Sequence, residues 1–378
     1  STLSIHSFPT RRSSDLAVCP TGAIIVKNDT QRLWKDISDI ETLVVVQIAP
    51  AVRVGISEEL GIKNDTNVMG KIVSSLRKMG VDEVFDTSTG ADLTVLEETK
   101  EFLSRLERNE KLPLFTSCCP AWVNYVENNY PSLIKNISTC RSPMQMFASV
   151  IKEQYKESNK KIVHVAIMPC TAKKFESQRD EFIENGVNNV DYVITTQELI
   201  KMIKESGIVF SEVLPEAVDM PFGVSSGAGV IFGVTGGVTE AVIRLAIEDK
   251  SPSALRALAF TGVRGMEGVK ETSITVGGRL INVAVVSGLK NADELVKKIQ
   301  AGEAQYDFVE VMACPGGCIG GAGQPFVKSK GKLKRGALLY EADRMNVIRR
   351  SEENPLMDTL YKGLLKDKVH KLLHVEYK

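Results

Sequence analysis

Three apolar segments of this sequence are followed directly by cysteine, and this feature constrains the fold more than any other. KLPLFTS precedes Cys118 and Cys119, KIVHVAIMP precedes Cys170, and YDFVEVMA precedes Cys314. Each segment is typical of a β-strand that is buried in a sheet. Because ligands of open α/β sheets bind beyond the carboxyl ends of the strands, we expect these segments to bring their thiols to one crevice.

Strand and helix patterns alternate through the middle of the chain, which is typical of α/β proteins. Residues 41–49 form a continuous apolar run, helical patterns follow at 67–78 and 93–108, and residues 273–286 predict a hairpin about a Gly-Gly turn. A length of 378 residues is enough for two lobes. We therefore predict a two-lobed α/β fold. Each lobe is a mixed or mostly parallel sheet flanked by helices, and the active site lies in the crevice between the lobes.

Composition and charge exclude several classes of function. Lys plus Arg and Asp plus Glu both number 47, so the net charge gives no support for a nucleic-acid partner. No apolar run approaches the length that a membrane-spanning helix needs. The 7 cysteines are odd in number and unevenly placed, unlike the disulfide framework of a secreted protein. We expect a cytoplasmic protein with no nucleic-acid or membrane partner, whose thiols serve a metal or catalysis.

The N-terminal residues differ from the rest of the chain. Residues 1–16 are rich in Ser and Arg and fit nothing downstream, so we interpret them as an unrelated or artefactual leader. Residues 17–36 contain CPTGAI, which matches the Cys-Pro end of a bacterial ferredoxin cluster-binding run. We expect this segment to be the remnant of a ferredoxin-like iron–sulfur domain, because Cys19 alone cannot hold a cluster.

Four of the cysteines, Cys119, Cys170, Cys314 and Cys318, can bind either a structural zinc ion or a cubane iron–sulfur cluster. Structural zinc usually takes two short Cys-x2–4-Cys loops, whereas these ligand segments lie far apart in the chain. A redox disulfide between Cys314 and Cys318 is a further alternative, although thioredoxin-like motifs place two residues between their cysteines. Any single cysteine can instead be a small buried hydrophobe. Glycines around Cys318 favour the cluster, because they let the backbone approach a ligand closely.

Three segments of the chain share a family likeness. They are TSCCPAW at 116–122, MPCTAKKFE at 168–176 and EVMACPGGCIGGAGQP at 310–325. These segments resemble the signature motifs of the FeFe, or iron-only, hydrogenases, and the likeness runs from about residue 43 to residue 377. The closing HKLLHVEY resembles the small subunit of that family, fused here to the large one. We therefore expect an H-cluster catalytic domain at 37–345 and a small-subunit-like segment at 346–378.

The resemblance implies the cofactor of that family, the H-cluster. In this cofactor a cysteine sulfur joins a 4Fe–4S cubane to a di-iron unit, which carries carbonyl, cyanide and a bridging dithiolate. The resemblance implies that Cys318 provides this bridging sulfur. The cubane ligands that it implies are Cys119, Cys170, Cys314 and Cys318.

Neighbouring residues gain roles from the same resemblance. It implies that Lys173 donates a charge-assisted hydrogen bond to a cyanide ligand. It also implies that Met168 and Met312 form apolar walls that keep water from the di-iron unit. Glu176 follows in the same segment, and we interpret it as an exposed helix carboxylate of little functional weight.

A proton relay is also implied by the resemblance. In the family a thiol passes protons to the bridging dithiolate, and Cys118 is the matching residue here. The implied path runs from solvent past Arg105 and Glu101, through Ser138 to Glu98, and then by water to Cys118. Spacing alone places Glu98, Glu101 and Arg105 on one helix face, which also suits a solvated charged surface.

The resemblance thus implies an FeFe hydrogenase that reversibly reduces protons to H2. It also implies a ferredoxin or another redox protein as electron partner, maturation proteins that deliver the di-iron unit, and the option of further hydrogenase subunits. Three alternatives stay open: a sensory hydrogenase, a hydrogenase-like iron–sulfur assembly protein without the di-iron unit, and a zinc-stabilised binding protein. The presence of both Cys118 and Lys173 disfavours the assembly protein.

Four further residues of ligand type have no motif role. Cys140 is expected to be buried core, and His164 lies inside an apolar strand pattern, as expected of a core histidine with satisfied hydrogen bonds. His370 and His374 have the i, i+4 spacing of a metal-binding pair. Their place in the HKLLHVEY tail favours packing instead.

Overall fold

The computed structural model describes residues 26–62, 68–184, 186–249, 251, 253, 264 and 268–378. Within these residues the strands form two four-stranded sheets and one two-stranded ribbon. The predicted leader at 1–16 and Cys19 lie outside the described residues. The strands are β1 Thr42–Ile48, β2 Glu83–Asp86, β3 Leu114–Phe115, β4 Lys161–Met168, β5 Ile183–Glu184, β6 Val187–Asn188, β7 Tyr192–Thr195, β8 Val269–Val276, β9 Arg279–Ser287 and β10 Phe308–Met312.

The first sheet has the strand order β2-β1-β4-β7, and its paired strands all run parallel. β1 pairs on both sides, with Val46 opposite Val84 on one neighbour and Val165 on the other. Alternate residues of β1 enter different cores, Val44 and Val46 on one face and Val45 on the other. Burial on both faces explains why this strand is an unbroken apolar run in the sequence.

The second sheet has the strand order β3-β10-β9-β8 and is mixed. β3, β10 and β9 run parallel, whereas β8 and β9 form the predicted antiparallel hairpin. The hairpin turns at residues 277–278, glycines whose φ angles of 57° and 73° few other residues adopt. On β10, Phe308 lies in one core with Val238, and Val309 lies in another with Leu295. This strand is therefore also buried on both faces.

Helices flank both sheets, so the mixed α/β fold predicted from the sequence is confirmed. None of the helices in the described ranges is long and apolar enough to cross a lipid bilayer. In chain order the helices are α1 Thr30–Ile37, α2 Pro50–Glu59, α3 Val68–Lys78, α4 Ser88–Arg108, α5 Pro120–Asn129, α6 Pro143–Gln154, α7 Ala172–Glu176, α8 Thr196–Glu205, α9 Gly227–Val230, α10 Gly237–Ala246, α11 Leu289–Gln300, α12 Ser329–Met345, α13 Pro355–Lys362 and α14 Val369–Leu373.

Helix α4 links the cores of the two sheets. Leu93 packs in a core with Val45 of the first sheet, and Phe102 packs in a core with Phe308 of the second. The helix begins earlier than the predicted start at residue 93. Its first turns are polar in sequence but buried, and Asp92 accepts hydrogen bonds from residues far along the chain. Such long-range partners leave no periodic signal in the local sequence.

The C-terminal segment packs into the same core as the first sheet. Leu372 and Leu373 join the cluster that contains Phe147 of α6. Backbone hydrogen bonds hold this segment beside residues 139–141: the Val375 amide donates to the Thr139 carbonyl at 2.7 Å, and the Arg141 amide donates to the Leu373 carbonyl at 2.9 Å. The segment therefore lies close to the polar residues of α4.

Candidate metal and cofactor site

The carboxyl ends of strands from both sheets face one cavity. The ends of β3, β4 and β10 bring the three cysteine segments to its wall. Ala49 and Pro50, which follow β1, also line this cavity. The cysteines that line the cavity are Cys118, Cys119, Cys170, Cys314 and Cys318.

Tight backbone turns hold the cysteines at these strand ends. Pro120 begins α5 directly after Cys119, where its missing N–H costs no helical hydrogen bond. Between Cys314 and Cys318 the Gly317 amide donates to the Cys314 carbonyl at 2.9 Å. Gly316 and Gly317 have φ angles of 88° and 84°, which explains why this loop requires glycine at both positions.

The chemistry of this donor set suits a positively charged iron–sulfur centre. Burial, followed by the charges of Cys119 and Cys314, raises the pKa of Cys318 to about 12. Burial and the neighbouring cysteines likewise raise the pKa of Cys170 well above its ordinary value. Clustered thiolates therefore repel one another in this cavity, and bound iron cations offset both the repulsion and the loss of hydration. The four candidate ligand cysteines fit a cubane cluster on these grounds.

A buried cation and two methionines complete the cavity wall. Met168 and Met312 are only 2% and 3% exposed, and both line the cavity. The Lys173 ammonium donates to the Cys118 carbonyl oxygen at 3.1 Å and to Glu176 Oε2 at 2.7 Å. Burial works against the charged form, but Glu176 more than offsets this and the pKa of Lys173 is raised. The cavity therefore carries a fixed positive charge in an otherwise apolar wall.

The interpretation of Glu176 as an exposed carboxylate is wrong. Its side chain is buried in the structure and forms an ion pair with Lys173, three residues earlier on α7. The segment AKKFE is short and rich in charge, so its sequence is typical of a solvated surface. An i, i+3 Lys–Glu pair beside a motif cysteine was the one available signal of this contact.

The predicted relay residues on α4 meet Ser138 on the neighbouring loop. The Ser138 hydroxyl donates to Glu101 Oε2 at 3.1 Å, and Arg105 pairs with the other carboxylate oxygen of Glu101. Arg105 also donates to the Asn136 carbonyl at 3.2 Å, which fixes its guanidinium beside the loop. These side chains are mostly buried, so the alternative of a solvated charged helix face does not hold.

Glu98 is completely buried between Glu101 and the cysteine cavity. Burial, and then the charge of Glu101, raises its pKa to about 8, although Ser138 acts in the opposite direction. The Ser138 hydroxyl and the Ser117 backbone amide are close enough to act on the Glu98 carboxyl group, but neither contact has full hydrogen-bond geometry. Burial and the charge of Glu98 also raise the pKa of Cys118 well above its ordinary value. Both groups are therefore protonated over part of the neutral pH range and can hold a proton without solvent.

The residues without a motif role lie in two different environments. His164 is a core residue, with Nδ1 at 2.9 Å from the Asn189 carbonyl oxygen and burial lowering its pKa to about 3. Cys140 is also fully buried, and its sulfur lies 3.9 Å from Glu101 Oε2. The ring of His374 stacks on that of His370 and hydrogen-bonds to polar groups as well. Cys140 and His374 thus lie beside the predicted relay.

The fold and the cavity together define an α/β protein with a thiol-rich site between two sheets. The family model of the iron-only hydrogenase large subunit, C-terminal domain, matches residues 42–322. The family model of the iron hydrogenase small subunit matches residues 329–378. The chain therefore belongs to the iron-only, or FeFe, hydrogenase family, as its motifs predict.

Curated relatives agree with this assignment. The NADP-reducing hydrogenase subunit HndD of Solidesulfovibrio fructosivorans is 44% identical, over 96% of this chain and 64% of the relative. Iron hydrogenase 1 of Clostridium pasteurianum is 39% identical, over 95% of this chain and 65% of the relative. The chain thus spans slightly less than two thirds of these two relatives. The cytosolic Fe-S cluster assembly factor narfl of Xenopus tropicalis is 31% identical, over 95% of this chain and 81% of the relative.

Solved structures share the fold as well as the sequence. A structure that describes stepwise H-cluster assembly in the FeFe-hydrogenase HydA(deltaEFG) is 40% identical, with a TM-score of 0.81. The alignment covers 93% of this chain and 99% of that one. A variant of the FeFe-hydrogenase HydA1 from Chlamydomonas reinhardtii gives the same identity, coverages and TM-score.

Proposed function

We propose that this chain is the catalytic domain of an FeFe hydrogenase, in which protons and electrons are interconverted with H2 at an H-cluster. The single observation that carries the proposal is the composition of the cavity wall. A fifth cysteine, Cys118, faces the cavity beside the candidate ligand cysteines, and buried Glu98 lies behind it. A site that only held a cluster for stability needs no such proton-holding pair.

The proposed cofactor is held by thiolates from three chain segments. When bound, the H-cluster would supply the iron atoms at which protons, and electrons from the redox partner, interconvert with H2. Cys318 lines the cavity, and the family resemblance is the basis for proposing that its thiolate would also hold the di-iron unit. The proposed cubane ligands are Cys119, Cys170, Cys314 and Cys318.

Lys173 and the two methionines are proposed to prepare the cavity for the di-iron unit and its anionic ligands. The ammonium of Lys173 keeps its charge through Glu176 and can donate a charge-assisted hydrogen bond to a cyanide. Met168 and Met312 are buried and present soft apolar surface to the cavity. Together they favour an anionic, water-sensitive group over a hydrated metal ion.

Protons are proposed to reach the cavity through α4 and the loop that follows Asn136. Arg105 holds the Glu101 carboxylate at the outer end, and Ser138 donates to that carboxylate. Glu98, with a pKa of about 8, can take up and release a proton near neutral pH, as a relay group must. The Cys118 thiol then holds the proton at the cavity surface. Water is proposed to connect Glu98 to Cys118.

Partners and location follow from the same proposal. An electron-transfer protein such as ferredoxin, maturation proteins for the di-iron unit, and further hydrogenase subunits are the proposed partners. A cytoplasmic location is proposed from the reduced state that these thiols require.

The second candidate function is iron–sulfur assembly, because narfl-type assembly factors match most of the chain. That function requires no thiol at Cys118 and no ammonium at Lys173, yet both are built into the cavity wall. A sensory hydrogenase uses the same cofactor and differs in turnover. A zinc-stabilised binding protein has no use for the buried acid behind the cavity.

The test is H2 evolution from reduced methyl viologen, under strict anaerobiosis, after the reconstituted cubane is loaded with a synthetic di-iron cofactor. We expect sustained evolution that drops by about 100-fold or more in Cys118→Ala at unchanged iron content. Asp358→Asn, which changes an exposed side chain that does not line the cavity, is the control. Fully loaded protein without turnover supports the sensory alternative. A cubane that forms without ever accepting the di-iron unit supports the assembly alternative.

A further inference from the structure

Glu101 has a second hydrogen-bonded connection, which leads away from the cavity to the C-terminal segment. The Thr139 hydroxyl lies 3.0 Å from Glu101 Oε2 and 2.9 Å from His374 Nδ1. The other ring nitrogen, His374 Nε2, lies 3.1 Å from Glu97 Oε2. The chain Glu97, His374, Thr139, Glu101 is therefore continuous at hydrogen-bond distances.

The carboxylate at one end of this chain fixes one proton of the imidazole. Burial raises the pKa of Glu97, but hydrogen bonds from His374 and two further neighbours lower it to about 2. Glu97 is therefore an acceptor only, and His374 Nε2 must carry a hydrogen. Nδ1 then carries a hydrogen only when the imidazole is positively charged.

The Thr139 hydroxyl has one hydrogen and two acceptors that compete for it. When His374 is charged, its Nδ1–H donates to the hydroxyl oxygen, and the hydroxyl hydrogen is free to donate to Glu101. When His374 is neutral, Nδ1 is an acceptor, and the hydroxyl can donate to it instead. The Thr139 backbone cannot follow, since its amide donates to Glu101 at 3.0 Å and its carbonyl accepts from Val375 at 2.7 Å. Only the hydroxyl rotates.

We propose that His374 is a positioning residue of the proton relay, which through the Thr139 hydroxyl sets how strongly Glu101 holds its proton. The inference rests on the proposed function only in that it takes Glu101 to be part of the proton relay. A charged His374 directs an extra donor to the Glu101 carboxylate and so favours its ionised form. A neutral His374 withdraws that donor, and Glu101 then holds a proton more tightly. When a rise in pH removes the charge of His374, Glu101 thus keeps its proton more readily and can still exchange it.

The surroundings of His374 allow its charge to change. Its side chain is 12% exposed, so solvent protons can reach the imidazole. The side-chain atoms of Glu101, Cys140 and His374 that carry lone pairs lie within 4.8 Å of one another. The Arg141 guanidinium donates to the His374 backbone oxygen at 2.8 Å. The titratable and charged groups that face His374 or its partner carboxylate are Glu97, Lys100, Glu101, Cys140, Arg141, Tyr361 and His370.

This connection gives the small-subunit-like tail a part in the chemistry of the large-subunit domain. His374 lies in the segment that matches the small-subunit family model, and Thr139 and Glu101 lie in the other segment. An isolated antiparallel β-bridge between Cys140 and His374 holds the two segments in register.

The experiment compares wild type, Thr139→Val and Thr139→Ser in the full chain. Histidine NMR with ¹⁵N labelling follows His374 directly, because the sequence has only 4 histidines. The pH profile of H2 evolution by the loaded protein follows the relay. In Thr139→Val we expect the His374 titration midpoint to move by at least about 0.5 pH unit. We also expect the profile to lose the inflection that coincides with this midpoint in wild type. Thr139→Ser, which restores a hydroxyl, is expected to restore both.

Two results overturn the inference. One is a His374 titration midpoint that is the same in wild type and in Thr139→Val. The other is an activity profile that keeps its inflection in Thr139→Val. A third result would overturn the proposed function instead. In it the fully loaded protein evolves no H2, although the His374 midpoint still moves in Thr139→Val. The hydrogen-bond switch stands in that case, so the two failures are distinguishable.

Discussion

The Lys173 ammonium and the Glu176 carboxylate form an ion pair of 2.7 Å inside the wall of the cysteine cavity, with side chains only 10% and 3% exposed. Both charges are removed from water, so each depends on the other for compensation. The pair explains how Lys173 can keep its charge in the buried helix α7 that follows an apolar strand. It also couples the stability of the fold to the positive charge that is proposed to receive anionic ligands.

We predict that Glu176→Gln destabilises the protein by about 3 kcal/mol at neutral pH, because an uncompensated buried charge costs that much. The glutamine keeps the shape of the side chain but removes the charge opposite Lys173. Urea unfolding of the cofactor-free protein measures the effect. Lys173 is also expected to lose its charge more readily, so uptake of the di-iron unit should weaken as the pH rises.

The exposed pair of Lys362 and Asp358 provides the matched control. Its nitrogen–oxygen distance is also 2.7 Å, but the two side chains are 76% and 67% exposed. Asp358→Asn should change the free energy of unfolding by less than about 0.5 kcal/mol. Equal effects of the two substitutions would show that the buried pair is no more important than a surface contact.

The sequence predicts the parts of this structure that depend on local pattern. Buried strands of parallel sheets are continuous apolar runs, so the strands before Cys170 and Cys314 are visible without a structure. The convergence of the thiols follows from the rule that sites form at carboxyl ends of strands. The proposed relay residues are indicated only by the family resemblance, because their spacing on α4 also suits a solvated face.

Contacts between residues far apart in the chain are not visible in the sequence. His374 lies 235 residues from Thr139, and neither residue stands in a pattern that distinguishes a hydrogen bond from packing. Asp92 likewise accepts from Asn354, 262 residues away, and this explains the early start of α4. Glu176 was misinterpreted for the opposite reason, since its local surroundings are charged and only the folded chain buries them.

We predict that Glu98→Gln lowers H2 evolution by about 100-fold or more while iron content stays unchanged. The amide fills the same buried space but cannot take up and release the proton. The measurement is H2 evolution by the loaded variant, with methyl viologen as electron donor. Glu110→Gln changes an exposed glutamate on the loop after α4 and is the control. Activity within a few-fold of wild type in Glu98→Gln would remove Glu98 from the relay.

The same residue predicts a pH dependence of stability. The pKa of Glu98 rises from 4.5 to about 8 on folding, so the folded state holds this proton more tightly than the unfolded state. At low pH Glu98 therefore does not lower the free energy of unfolding. As the pH rises from 4.5 to about 8, it lowers that free energy increasingly. Glu98→Gln should become more stable relative to wild type over the same interval. Urea unfolding of cofactor-free protein at several pH values tests this, and a difference that is independent of pH would contradict it.

The cysteine loop offers a test of the site that does not depend on turnover. Gly317 has a φ of 84°, and a Cβ there would lie 2.7 Å from the Thr235 amide nitrogen. We predict that Gly317→Ala displaces the loop that carries Cys314 and Cys318, so that reconstituted protein binds less iron. Overpacking should also cost about 1–3 kcal/mol beyond the strain of the left-handed backbone.

Gly302→Ala separates the two causes, because Gly302 has a φ of 73° but no atom within 4 Å of the added Cβ. This control carries the backbone strain alone, which is worth about 1 kcal/mol, and it should bind iron like wild type. Iron analysis and urea unfolding of both variants measure the difference. If Gly317→Ala binds as much iron as Gly302→Ala, the turn at Gly317 does not position the thiolates.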